Sequence, residues 1–133
     1  MSVTPQDFLD SAKRCDLTGG EVLRRNAVSR AYYAAMHEAR TLLPPSNERQ
    51  VFRGSSHEEL IASLRAHYRK LVAGRGDGAM IAGELSALKG DRTKADYKLD
   101  SSVDGGFAKY SLRRADKIFD ASRRIKALST KVE

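Results

Sequence analysis

SRAYYAAMHEARTLL, Ser29 to Leu43, is the stretch whose reading decides the fold. It belongs to a run from Glu21 to Leu43 that contains neither glycine nor proline, bounded by Gly19-Gly20 before it and Pro44-Pro45 after it. Such a run predicts one long helix, because a proline inside a helix removes a hydrogen bond and clashes with the preceding turn. At about 100° per residue, Val28, Ala31, Tyr32, Ala35, Ala39, Leu42 and Leu43 gather on one broad apolar side. Asn26, Arg30, Tyr33, His37 and Arg40 return within an arc of about 80° on the other. The apolar side is expected to face a bundle. The polar arc carries an amide, a phenol, an imidazole and two guanidinium groups instead of the mixed Glu and Lys of an ordinary solvated face.

Working outward, the sequence predicts helices on both sides of this one and no strand. Thr4, Pro5 and Asp7 form a helix start, with threonine as the cap, proline at the first helical position and an acid in the first turn. Phe8, Leu9 and Ala12 give that first helix its apolar face. PPSNERQVFRGSS reads as a polar loop, after which Ser55 or Ser56 caps HEELIASLRAHYRKLV, with Leu60, Ile61, Leu64, Tyr68 and Leu71 at helical spacing. Gly74 to Gly78, GRGDG, reads as a break before a shorter helix marked by Met80, Ile81, Leu85 and Leu88 and running toward Asp91 or Lys94. A connector around ADYKLDSS leads to a last helix with Phe107, Tyr110, Ser111, Ile118, Ile125 and Leu128 near one stripe. The expected architecture is a single all-α domain over 1–133, an antiparallel bundle of four to five helices.

With 133 residues, the chain is long enough to bury a core without a metal or disulfide. The single cysteine, Cys15, cannot form an internal bridge, and packing is its expected role. No apolar run approaches the ~20 residues of a membrane span, so a soluble, cytoplasmic protein is expected. Twenty-four Lys and Arg against seventeen Asp and Glu give a formal charge of +7, which favours encounter with polyanions such as RNA.

The three histidines and the cysteine form no zinc pattern, HEELI is no metalloprotease motif, and GRGDGAM lacks the lysine and spacing of a phosphate-binding loop. Neither a metal nor an organic cofactor is expected. Arg92, Asp96 and Tyr97 have two readings: a substrate-lining arginine with an orienting carboxylate, or an Arg–Asp clamp on the last connector, the latter favoured. His57 has two readings, a second imidazole of the site or a capping or surface residue, the latter favoured; His67 is assigned no chemistry.

The order of these motifs resembles the HEPN-domain family, small all-α proteins named for higher eukaryotes and prokaryotes nucleotide-binding. The resemblance rests on R-A-Y-Y-A-x-x-H-x-A-R-x-L-L, the Ser56-His57 helix start, R-x-x-A-D-Y from Arg92 to Tyr97 and a terminal helix, and covers most of the chain. It implies a dimerising bundle and metal-independent ribonuclease activity from an arginine and a histidine with four to six residues between them, here the six from Ala31 to Met36. Those roles fall on Arg30, which would hold the scissile phosphate, and His37, the acid/base group, in a composite cleft of a homodimer. Asn26, Tyr33, Arg40, Arg92 and Asp96 would support substrate binding. The resemblance further implies a toxin or effector of a toxin–antitoxin or antiviral system, with a nucleotidyltransferase as antitoxin partner. The alternative is a non-catalytic interaction or nucleotide-binding module paired with such a nucleotidyltransferase.

Overall fold

The computed structural model describes residues 2–44 and 56–132. These form five helices and no strand: α1 (Pro5–Lys13), α2 (Glu21–Arg40), α3 (Ser56–Arg69), α4 (Arg75–Tyr97) and α5 (Gly105–Val132). The all-α expectation holds for these residues. Of the loop read from Pro44 to Ser56, residues 45–55 lie outside the described residues, and with them the Ser55 cap; Ser56, the other cap expected, is instead the first residue of α3.

The start of α1 follows from its sequence. Thr4 Oγ1 accepts from the Asp7 amide at 3.2 Å while the Thr4 amide donates to Asp7 Oδ2 at 2.8 Å, with Pro5 in the first turn. This reciprocal cap satisfies two amides that the helix itself leaves unpaired and contributes about 1 kcal/mol.

Helix α2 is the centre of the bundle and packs against α1, α4 and α5. Ala27, Ala31, Ala34, Ala35 and Ala39 are all fully buried, and such short side chains let neighbouring helices approach on several sides at once. Buried positions from Ala34 and Ala27 round to Arg25 and Met36 span about 200° of the helix. The buried side is therefore broader than the single apolar stripe, taking in Ala27 and Ala34 as well. Regular helix ends at Arg40 instead of Leu43, where Thr41 caps it and the chain turns through Leu42 and Leu43.

The GRGDG stretch is corrected by the structure. Helix α4 begins at Arg75, runs unbroken to Tyr97, and so absorbs most of the expected break and part of the expected connector. Only Gly74 is outside, in the left-handed conformation at φ +80° that glycine adopts without strain. Gly78 serves packing: a Cβ there would lie 2.2 Å from Cγ of Tyr68, so the missing side chain lets α3 and α4 close on one another. Local sequence shows the glycines but not the ring that requires one of them.

Two further expectations change. Tyr110 is half exposed, with the Arg114 guanidinium over its ring at 4.6 Å, and Leu71 is also exposed, so neither belongs to the core. The core instead holds Tyr32, Leu60, Leu64, Ile81, Leu85, Leu88 and Ile118, all fully buried. Buried Glu38 ties α2 to α5, accepting from Ser122 Oγ at 2.5 Å and Lys126 Nζ at 3.0 Å. No helix among the described residues is long and apolar enough to cross a membrane.

Candidate functional site

The uncovered arc of α2 carries the polar residues singled out by spacing. Asn26 and Arg30 are exposed, while Tyr33, His37 and Arg40 are half-buried. Helix α1 runs antiparallel along one margin of this arc. The Phe8 ring meets the His37 ring at 5.3 Å, and Arg30 donates to Ser11 Oγ at 3.2 Å and lies 3.6 Å from Cys15 Sγ. Arg30 and His37 lie seven positions apart on the helix, about 10 Å along the axis. Within one chain the cation beside His37 is accordingly Arg40, whose guanidinium donates to His37 Nδ1 at 3.3 Å.

His37 and Arg40 line an open cleft of about 380 Å³ with Val3, Thr4, Pro5 and Phe8. Burial, and then the charge of Arg40, hold the imidazole below its ordinary pKa. At neutral pH the ring is therefore largely uncharged. With Arg40 donating to Nδ1, the neutral ring carries its proton on Nε2. The cleft thus offers one imidazole able to exchange protons near neutrality and one fixed cation beside it.

On the other side of the arc lies a second cluster. His57, at the start of α3, has Nδ1 2.5 Å from the Tyr32 hydroxyl. Tyr32 is fully buried, and its pKa is pushed up to about 12 by burial, so the phenol keeps its proton and donates it to the imidazole. Burial lowers the pKa of His57, assisted by the charges of Arg92, Lys89 and Arg40. The Tyr33 ring stands 6.3 Å from the His57 ring. Arg92, 8% exposed, places its guanidinium carbon 5.2 Å from the Tyr32 ring, 5.7 Å from Tyr33 and 5.6 Å from Tyr97. Arg40 acts on both imidazoles, and the two clusters form one polar band.

The expected clamp between Arg92 and Asp96 is not formed. Asp96 is exposed and accepts from Ser29 Oγ at 3.1 Å, while Arg92 turns inward toward the tyrosines. The connector is clamped by a different arginine. Arg25 donates to the carbonyls of Lys94, Ala95, Lys98 and Ser101, and pairs with Glu21 at 2.8 Å.

The structure thus gathers Tyr33, His37, Arg40 and Arg92 along one band and leaves Asn26, Arg30 and Asp96 at its margins. Sequence reading weighed His57 as a second imidazole of the site but favoured a capping or surface role, and it missed the polar end of Tyr32. The available signal was the Tyr32-Tyr33 pair itself, since a tyrosine on the apolar side of a helix needs a partner for its hydroxyl. Among the described residues no three His, Cys, Asp or Glu side chains converge as a metal ion would require. Compared with models of protein families, with curated proteins and with solved structures, the chain has no match.

Proposed function

We propose that the protein is a HEPN-like, metal-independent endoribonuclease that acts as a homodimer. The observation that carries this reading is the imidazole of His37 in an open cleft, with a guanidinium 3.3 Å from it and Arg30 on the same arc. In the proposed step His37 takes the proton of a ribose 2′-OH, O2′ bonds to the adjacent phosphorus, and the P–O5′ bond breaks. The charged imidazole then returns its proton to O5′. The products are a 2′,3′-cyclic phosphate and a 5′-hydroxyl, with no water or co-reactant consumed. Arginine stabilises the negative charge that builds on the phosphoryl oxygens. Because Arg30 and His37 of one chain stand about two turns apart, the composite cleft draws Arg30 from a twofold copy. The biological setting is a toxin or effector of a toxin–antitoxin or antiviral system, with a nucleotidyltransferase as partner.

The test compares wild type with His37→Ala and Arg30→Ala at matched dimer concentration, with chelator present. His37→Ala is expected to lower cleavage by roughly 10²- to 10⁴-fold while the fold persists. Intact RNA with wild type, or cleavage unchanged by His37→Ala, overturns the proposal. Growth arrest on expression that disappears with His37→Ala supports the toxin setting.

One contact favours a second reading. Arg40 donates to Nδ1 of His37, the nitrogen that a base would use, so the ring as placed presents an N–H donor suited to holding a phosphate oxygen. On that reading the band is a nucleotide-binding or partner-binding module. RNA then stays intact, and Arg30→Ala weakens binding of a nucleotide or of a nucleotidyltransferase.

A further inference from the structure

Arg92 is a buried cation that the fold leaves short of a hydrogen-bonding partner. Its Nε is buried and has no hydrogen bond among the described residues. The acids nearest to it in sequence are turned elsewhere: Asp91 accepts from Ser111 at 2.9 Å and Asp96 from Ser29 at 3.1 Å. Three aromatic faces lie against the guanidinium and ease its burial through their negative faces, but a ring face is no substitute for an oxygen acceptor.

The surroundings also specify the missing group. With Tyr32 bonded to Nδ1 of His57, that imidazole has Nε2 available as a second donor, and Lys89 and Arg40 add positive potential around it. A guanidinium fork beside an imidazole N–H suits the several oxygens of a phosphate. Tyr97, 70% exposed with its ring beside Arg92, offers a flat surface next to that position, and bases stack on such rings.

We propose that Arg92, His57 and Tyr97 form a binding site for the phosphate group of a nucleotide, with the base lying against Tyr97. The ligand is a free nucleotide or one unit of an RNA strand. In the latter case the site holds a phosphate neighbouring the one presented to His37, which rests on the nuclease reading; binding of a free nucleotide does not.

The experiment follows the side-chain Nε–H signal of Arg92 and the ring signals of Tyr97 by NMR. Wild type is titrated with adenosine monophosphate and with inorganic phosphate, and the His37→Ala protein with a short oligouridylate that it leaves uncut. Saturable shifts of both residues with adenosine monophosphate, weakened at least about tenfold by Arg92→Gln and several-fold by Tyr97→Ala, are expected. Partial recovery with Arg92→Lys distinguishes charge from packing. If Arg92→Gln fails to fold, Tyr97→Ala and His57→Gln carry the test, since both residues are partly or largely exposed.

Shifts with oligouridylate but not the mononucleotide assign the site to RNA, and the reverse assigns it to a free nucleotide. Inorganic phosphate binding as tightly as adenosine monophosphate removes the base from the assignment and overturns it. No shift at Arg92 with any of the three probes, or affinity unchanged in Arg92→Gln, overturns it entirely. Nucleotide binding by a protein that leaves RNA intact sinks the nuclease and leaves this site standing. Cleavage by a protein that binds no nucleotide at Arg92 does the opposite.

Discussion

Arg25 and Arg92 are equally deep in the bundle, 9% and 8% exposed, yet the fold treats them in opposite ways. Arg25, on α2, spends its donors on four carbonyls at the end of α4 and in the connector behind it, with Glu21 balancing its charge. Arg92, on α4, faces three tyrosine rings and has a buried Nε with no acceptor. The first arrangement completes the structure from within. The second leaves a buried Nε with no acceptor among the described residues. Burial alone therefore does not identify a functional arginine; the count of acceptors around it does.

The comparison can be broken most directly at Arg25. Arg25→Ala strips partners from four carbonyls and releases the connector, and is expected to destabilise the protein by about 3 kcal/mol or more, read from denaturant unfolding. Arg92→Met fills similar space without an uncompensated charge, so its unfolding free energy should stay within about 1 kcal/mol of wild type, on either side. If Arg92→Met costs as much as Arg25→Ala, the two arginines are both structural and the contrast fails.

The smallest effect sharpens the contrast through pH. His57 titrates below its ordinary 6.5, first because it is buried and next because Arg92 is near. As pH falls through 6.5 the unfolded chain takes up a proton that the folded imidazole resists. The unfolded state then binds more protons, so the contribution is complete above pH 6.5 and stability declines below it. His37 adds to the decline in the same direction. Urea midpoints measured from pH 8 to pH 5 should show it, and His57→Gln should flatten it. Arg92→Met should move the His57 titration, followed by NMR, back toward 6.5; Arg25→Met should leave it in place.

What could be read from the chain was what neighbours in sequence decide. Thr4, Pro5 and Asp7 fix the start of α1 within one turn, and the split of α2 into a buried side and a polar arc follows from a repeat of 3.6 residues. What could not be read depended on partners far along the chain. Arg25 finds its carbonyls about seventy positions away, Tyr32 finds His57 twenty-five positions away, and Gly78 answers to the ring of Tyr68. The Arg92–Asp96 pairing failed for the same reason. Four-residue spacing made the pair plausible, but rings from α2 drew the guanidinium inward and left Asp96 to Ser29.

Helix α3 has a consequence for how the two imidazoles stay in register. It packs chiefly on α4; near its start His57 meets Tyr32 of α2, and near its end Tyr68 donates to the carbonyl of Leu42, just past α2, at 3.3 Å. Eleven residues, about 16 Å of helix, separate these two phenolic fastenings. The helix is thus a bar pinned at either end by a tyrosine, one its own and one belonging to the central helix. Without the Tyr68 hydroxyl that end of the bar would rest on its packing against α4, and the Tyr32–His57 bond would be the remaining phenolic fastening among the described residues.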